Sequence, residues 1–572
     1  MPQANSTTQY QPVSSVRWFF LFFVAVWLSG CASLPDRVER PVSTALSAPS
    51  QTRLGQLVQS RRTQANARSD SGFALLSSVE LAYGGRLALI DAAQKTLDLQ
   101  YYAIHADSST ERLLGRLREA ARRGVRVRIL LDDFNTVGRD VQVLRLAFEP
   151  NIEMRLFNPL PGSRRSSVGR ILGSINEIAR IQQRMHNKLF IADNAVGITG
   201  GRNLGDAYFG QDQGSNFIDM DVLAAGRIVA DMSASFDRFW NNDLAYPVQS
   251  LITRQELNDL SKPQGEAAAL DGSAPIPPVV AVAPAVTATL STLPTSATSA
   301  TSVIPDGTPT IALANTGIDL QRHTLTWAPG TMMVDKPGKI GPDVDEVDAG
   351  DTLIDGLLGL MSQAKTGVDI ISPYFVPGRQ MMKVFSDMKA RGVRVRVLTN
   401  SLASNDAPAA HAGYARYRKE LLANGIELYE MRSERSGEIN ALGSTGGSSG
   451  GSTARSPSGS VSTSRASLHA KAVVIDTRLL VIGSMNLDLR SQLQNTEVAL
   501  VISSATMSKE AVRQIESTLR ADAYRVEQSG GKLVWRAPAG AAFADSTTEP
   551  DASLKLRLLI NLISPFAPDE ML

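Results

Sequence analysis

The stretch Met185-His186-Asn187-Lys188-Leu189-Phe190-Ile191-Ala192-Asp193, with Gly200-Gly201-Arg202-Asn203 after it, decides how this chain is read. It recurs as Leu468-His469-Ala470-Lys471-Ala472-Val473-Val474-Ile475-Asp476, followed by Gly483-Ser484-Met485-Asn486. In both copies Lys follows His by two residues, Asp by seven, Gly by fourteen and Asn by seventeen. The intervening residues are apolar, as in a buried strand. On a strand, residues i and i+2 share a face, which sets His186 beside Lys188 and His469 beside Lys471. Asp193 and Asp476 have the opposite parity and stand where the strand turns toward the next one, Val196 to Thr199 or Leu479 to Ile482. Within the motif they read as turn or network residues, not as the attacking groups. The returning strand brings Gly200 to Asn203, or Gly483 to Asn486, back alongside. Small residues there let backbone approach a ligand, and the amides of Asn203 and Asn486 can donate to it.

Two imidazoles, two ammonium groups and two amides suit a phosphodiester. Lys neutralises the non-bridging oxygens and Asn donates to them. One His attacks phosphorus while the other protonates the leaving oxygen. Imidazole can do either, because its reference pKa is about 6.5. The nucleophile must be neutral and the acid cationic, which calls for two different environments. The five histidines are accompanied by no ligand-spaced Cys or acid cluster, so neither a metal nor another cofactor is expected.

With its His-x-Lys-x4-Asp motif in two copies, the chain resembles the phospholipase D superfamily. Leu99-Gln100-Tyr101-Tyr102, Ile371-Ser372-Pro373-Tyr374-Phe375-Val376-Pro377-Gly378, Leu398-Thr399-Asn400-Ser401-Leu402-Ala403 and Asn495-Thr496-Glu497 extend the likeness to bacterial cardiolipin synthases. It is similar above all to the lipoprotein-like type that joins phosphatidylethanolamine and phosphatidylglycerol. The resemblance implies the catalytic set His186, Lys188, Asp193, His469, Lys471 and Asp476, with His186 as nucleophile and His469 as acid. The residues alone do not rank the two. It also implies an acid that orients a catalytic His, which Glu497 matches. Aligning Glu497-Val498-Ala499-Leu500-Val501 with Asp219-Met220-Asp221-Val222-Leu223 nominates Asp219 in the first half, with Asp221 the alternative. His411, in Ala410-His411-Ala412-Gly413-Tyr414, matches a family segment and is a candidate for the headgroup pocket or a satisfied surface residue. His105 can face the cleft; His323 reads as structural. The implied activity is phosphatidyl transfer through a phosphohistidine, making cardiolipin from membrane phosphatidylglycerol and phosphatidylethanolamine. The alternatives are a hydrolytic phospholipase D, a nuclease, or an inactive surface lipoprotein. An accessory protein is a further partner that the sequence does not identify.

The N-terminus bears on compartment. Behind Arg17, Trp18 to Leu28 form an apolar run too short to span a bilayer and suited to a signal peptide. Leu28-Ser29-Gly30-Cys31 looks like a bacterial lipobox, with an uncleaved anchor as the other reading. Cys31 is the chain's single cysteine, which excludes an intramolecular disulfide. The resemblance implies that Cys31 carries the lipid, and Ala32 after it points to a periplasm-facing protein of the outer membrane. A net charge of +2 over 572 residues gives no argument for nucleic acid, and none is expected as a partner.

Outward from the motifs, two similar halves are legible. In the first, a helix around Arg86 to Ala93 precedes a strand Leu97 to Tyr102, and a helix Leu113 to Arg122 precedes Gly124-Val125-Arg126-Val127-Arg128. The second half has a helix Leu353 to Gln363, a strand Val368 to Ser372, a helix Met381 to Arg391, then Gly392-Val393-Arg394-Val395-Arg396. Helices alternating with strands predict an α/β fold. Each phospholipase D-like half is expected to hold a mixed, mostly parallel sheet flanked by helices, with the site between halves related by a pseudo-twofold. The expected organisation is a signal peptide over 1–30, a tether over 31–70 and a first domain over 71–262. A Pro/Ala/Ser/Thr-rich linker over 263–316 follows, then a second domain over 317–505 and a C-terminal region over 506–572. A Gly/Ser-rich insertion at 436–466 interrupts the second domain and, like the linker, reads as flexible. Leu554 to Ile563 can lie on a membrane surface or dock on the protein.

Overall fold

The computed structural model describes residues 34–162, 164–165, 178–212, 215–260, 317–341, 352–433 and 465–564. The signal peptide and Cys31, the linker over 263–316 and nearly all of the insertion over 436–466 lie outside the described residues.

Two nine-stranded sheets organise the chain. The first runs Ala245–Pro247, Ile152–Phe157, Arg126–Asp132, Thr96–Tyr101, Leu189–Ala192, Val196–Gly200, Asp221–Gly226, Ser71–Leu76, Thr326–Trp327. The second begins at Gly330–Val334, Val498–Ser503, Leu479–Gly483 and Ala472–Ile475. It continues through Gly367–Ile371, Arg394–Asn400, Glu427–Met431, Ala523–Ser529 and Lys532–Arg536. Both are mixed, but the expected parallel majority is not found. In each sheet only the run of three strands that alternates with helices is parallel, and the other pairings are antiparallel. The physical reason is the motif itself. Each motif strand turns back through a connection with two left-handed residues, Asp193-Asn194 and Asp476-Thr477. The three residues between Ala192 and its partner Val196, or between Ile475 and its partner Leu479, are few enough to produce only an antiparallel neighbour.

The repeated Gly-Val-Arg-Val-Arg now has a cause. Gly124 (φ 90°) and Gly392 (φ 74°) end their helices in the left-handed region that disfavours a side chain. The second Arg of each repeat faces an Asp across the parallel register, Arg128 opposite Asp98 and Arg396 opposite Asp369. Arg128 grips Asp98 in a fork of 2.7 and 2.9 Å, and Arg396 donates to Asp369 at 2.8 Å. Each half thus buries a matched ion pair at the same place, where removing one partner would strand a charge.

The strands alternate their faces between separate cores. Phe190 and Ala192 point toward Val79–Ala92 and Ser108–Arg122, while Leu189 and Ile191 point into a cluster shared with the other half. That middle cluster also takes Val222, Met232 and Phe236 from the first half and Val474, Leu480, Leu500 and Ile515 from the second. An apolar core crossing the boundary fixes the two halves against each other.

Three segments differ from the expected organisation. The tether carries a helix, Arg53–Gln64, capped by Thr52 and anchored by buried Leu54 and Val58. Thr326–Trp327 closes the edge of the first sheet before the chain crosses to the second. The region over 506–572 adds the helix Ala505–Ala521 and the last two strands of the second sheet.

Candidate active site

Two short parallel ribbons join the halves and build the site. Arg465–Leu468 pairs with Ser215–Ile218, and Arg184–Met185 pairs with Asn495–Thr496. Their registers set Leu468 opposite Ile218 and Met185 opposite Thr496. The next residue on each strand is therefore a motif His facing an acid from the other half: His469 meets Asp219, and His186 meets Glu497. The backbone amide of His469 donates to Ile218 O at 2.8 Å, and that of His186 to Thr496 O at 3.0 Å, which holds the register. His469 Nδ1 lies 2.7 Å from Asp219 Oδ2. His186 Nδ1 lies 3.0 Å from both Glu497 oxygens. With Nδ1 bound to a carboxylate, each ring's Nε2 is the nitrogen left for a substrate.

Each acid is held by its own half's returning hairpin. A Cβ on Gly201 would stand 2.3 Å from Asp219 Oδ1, so only glycine lets that carboxylate reach across. The corresponding residue of the second copy is Ser484, whose hydroxyl donates to Glu497 at 2.5 Å, while Ser491 donates at 2.9 Å. The small residues after each motif serve these carboxylates, where the sequence suggested direct room for a ligand. Asp221, the alternative acid, is committed to buried Arg86 at 2.9 Å and to Arg202 at 3.4 Å.

Parity sets each Lys beside its His, and Lys188 Nζ donates to His186 O at 2.8 Å. Lys471 donates to His469 O in the same way. Burial pushes Lys188 down to about 7 and Lys471 to about 8, partly offset by Glu497 and Asp219. Burial, then Lys188 and Lys471, hold His186 well below the ordinary imidazole range. His469 is lowered by burial and Lys471, against the hydrogen bond to Asp219. Burial raises Glu497 to about 7 against Lys188 and the two serines. Asp219 goes the other way: burial would raise it, but His469 and nearby cations outweigh that and hold it below the usual carboxylate range. Buried amines whose charge is this poorly solvated gain most from an anion placed beside them.

A pH dependence follows. The site loses its lysine charges as pH rises through about 7 to 8, and an anionic phosphodiester, the ligand the motifs lead one to expect, would raise both lysine pKa values again. The expected result is an alkaline fall in kcat/KM, which reports the free enzyme, at lower pH than any fall in kcat. Identical alkaline limbs for the two parameters would contradict this electrostatic picture.

The other sequence candidates separate. Asp193 and Asp476 are not brought to the histidines; each lies at the far end of its motif strand, about 20 Å along a chain rising 3.3 Å per residue. Asp193 accepts from the amides of Gln94, Lys95 and Thr96 at 2.7 to 2.9 Å. Asp476 does the same for Lys365, Thr366 and Gly367. Grouping them with the catalytic residues is therefore corrected: they tie the hairpin to the neighbouring strand. Asn203 accepts from Ala103 N and donates to Tyr208 Oη at 2.9 Å, whereas Asn486 leaves its amide oxygen buried without a partner among the described residues. His411 is wholly buried, its Nε2 3.0 Å from Arg418, beside Tyr414 and Glu549. A ring enclosed in that way lines no headgroup pocket and is no surface residue, which corrects both readings. His105 pairs with Asp140 at 2.8 Å and stacks on Tyr208, and His323 is lowered by burial near Arg61.

Aromatic residues complete the site and escape sequence reasoning. Tyr102 meets His186 edge-on at 5.1 Å and carries Lys188 over its ring at 5.7 Å. Tyr208 and Phe217 meet His469 at 5.3 and 4.9 Å. Tyr374 donates to Asp406 at 2.9 Å, and Asp406 adds negative potential at His469 and Lys471. Tyr102 and Tyr374 fall in family-like segments, so a signal for them existed; Tyr208 and Phe217 carry none.

Comparison with known proteins follows the same division into halves. The family model described as cardiolipin synthase, PLD-like domain, matches residues 87–240 and 357–519. Cardiolipin synthase C of Escherichia coli (strain K12) is 37% identical over 430 residues, 75% of this chain and 80% of that protein. An uncharacterized protein of Helicobacter pylori (strain ATCC 700392 / 26695) is 29% identical over 549 residues, 95% of this chain and 97% of its own length. The crystal structure of phosphatidylserine synthase from Haemophilus influenzae Rd KW20 aligns with a TM-score of 0.48 at 13% identity, covering 81% of this chain and 91% of that one.

Proposed function

Because this chain belongs to the phospholipase D-like cardiolipin synthase family, we propose that it transfers a phosphatidyl group between membrane phospholipids to form cardiolipin. The observation that carries the reading is the crossed pair of His–carboxylate units with a buried Lys beside each His. His186 Nε2 attacks the donor phosphorus as the bond to the leaving oxygen breaks, and His469 gives its Nε2 proton to that oxygen. The phosphohistidine then meets the acceptor hydroxyl, whose proton passes to His469 as its oxygen displaces His186. Splitting the displacement lets an alcohol replace water in the second step. The unequal electrostatics support these roles. His186, held furthest below the ordinary range, is neutral as a nucleophile must be, and His469 keeps a 2.7 Å contact to an ionised Asp219 that favours its cation. Phosphatidylglycerol and phosphatidylethanolamine are the proposed lipids. Incubating purified protein with labelled forms of both should yield cardiolipin carrying the labelled phosphatidyl group. Phosphatidic acid alone would mean hydrolysis, and no product would mean an inactive protein.

We further propose that residues 1–30 are removed and that Cys31 carries acyl chains, facing the periplasm from the outer membrane. The motive is the apolar run ending in the chain's single cysteine; among the described residues no helix is long and apolar enough to cross a membrane. Several acyl chains anchor far more firmly than one. Cys31→Ala should leave an uncleaved precursor and lower activity on membrane lipid while sparing a soluble phosphodiester. Intact mass of the membrane fraction checks it: a chain starting at Met1 with a free thiol contradicts the proposal.

A further inference from the structure

Among the described residues six large apolar side chains are exposed, and four of them lie on one ten-residue helix, Leu554–Ile563. Leu554, Leu558, Leu559 and Leu562 are 71%, 60%, 45% and 68% exposed. Leu554, Leu558 and Leu562 recur every four residues and so form a single stripe. The helix is not loose. Ser553 caps it, and its other face sets Leu556 and Ile560 on Leu402, Ala403, Ala412 and Ala552. It has therefore used one apolar face for the protein and keeps a second one in water. Surface leucines scattered singly need no account, but three in one stripe with a fourth beside them do.

Charge and position say what covers the stripe. The helix contains no acid; Lys555 is exposed beside the leucines and Arg557 flanks them. The acids just before it are engaged, Glu549 with Arg418 and Asp551 with Arg432. The helix rests on Leu402 and Ala403. Asn400, two residues earlier, clamps Leu468 from both sides, donating to its carbonyl and accepting from its amide at 2.9 Å each. Leu468 precedes His469, so the segment that carries the helix is tied through Asn400 to the backbone of a motif histidine. At about 1.5 Å per residue a ten-residue helix is half the thickness of a bilayer's hydrocarbon core. It can lie in an interface and cannot span one.

We infer that Leu554–Ile563 is an interfacial helix that seats on an anionic phospholipid surface and holds the His469 side of the site toward the bilayer. The leucines enter the headgroup boundary, and Lys555 and Arg557 stay among lipid phosphates. The inference rests on the reading that the substrate is a membrane lipid, but its test needs no turnover. The full chain with Cys31→Ser and Leu558→Cys takes an environment-sensitive fluorophore at position 558, and a second sample takes it at Lys383→Cys, on the exposed face of a different helix, Gly378–Ala390. Each is mixed with phosphatidylglycerol–phosphatidylcholine vesicles. The 558 probe should be quenched by brominated acyl chains and shielded from aqueous iodide at least about threefold, while the 383 probe stays open to iodide. High salt or vesicles of phosphatidylcholine alone should weaken the shielding. Replacing Leu554, Leu558 and Leu562 together by Asp should cut activity on vesicle lipid at least about tenfold and leave a soluble phosphodiester within about twofold, since these side chains are mostly exposed and belong to no core cluster among the described residues. A 558 probe that stays open to iodide on vesicles overturns the inference. So does shielding that appears without vesicles and grows with protein concentration, which would assign the stripe to a second copy. A protein that shields at 558 yet makes no product would leave the docking helix standing and remove the proposed reaction.

Discussion

Replacing either His186 or His469 by Ala is expected to lower turnover of the proposed phosphatidyl transfer at least about ten-thousandfold, and the double replacement should be no worse than the poorer single one. Members of one catalytic unit are not additive, because once either is missing the other has nothing to complete. The two losses should nevertheless differ in kind. His469 is needed where a poor leaving oxygen must be protonated, so a substrate with an aryl leaving group bypasses it in the first step. His469→Ala given such a substrate should release the aryl alcohol once and stop, leaving the phosphatidyl group on His186. His186→Ala should give neither burst nor adduct. The burst amplitude and the intact mass of the quenched protein check this. An adduct on His469 would reverse the roles that the electrostatics suggest, and near-normal turnover by His469→Ala would end the two-histidine mechanism.

Much of this site is legible in the chain, and the limits follow from range. His186 beside Lys188 is a matter of strand parity, which needs only local sequence. The turn placement of Asp193 and Asp476 comes from the same parity, and three amides around each carboxylate show why the residue is Asp. The ribbons that bring His186 to Glu497 and His469 to Asp219 are another matter. Asn495–Thr496 and Arg184–Met185 are two residues each, too short to show any period, and their partners stand hundreds of residues away. The sheet's direction is misjudged because helix–strand alternation is read across the whole half, although it governs only three strands of each sheet. His411 shows what a matching segment leaves out: Arg418 and Glu549, the latter from a tail far along the chain, decide where its ring points. Tyr208 and Phe217 belong to the stretch between motif and acid, where nothing in the pattern asks for an aromatic residue.

Glu497→Gln is expected to cut kcat about a thousandfold by acting on His186, and Asp219→Asn to act comparably on His469, each across the boundary between halves. The carboxylate accepts from Nδ1–H, fixes the tautomer that presents Nε2, and stabilises positive charge on the ring; an amide of the same shape does this poorly. Sequence proximity would assign Glu497 to His469, 28 positions away, but the hydrogen bonds run to His186 from Glu497 and to His469 from Asp219. Double-mutant cycles separate the two arrangements. Strong coupling is expected for His186 with Glu497 and for His469 with Asp219, and weak coupling within each half. The aryl substrate adds a second readout. If Asp219 serves the acid, Asp219→Asn should regain most of its first-step rate when protonation is no longer needed. If Glu497 serves the nucleophile, Glu497→Gln should regain little, because the attack itself is impaired. Equal rescue of both variants would mean that both carboxylates act on the protonation step. That outcome would separate the crossed geometry from the division of chemical labour argued from it.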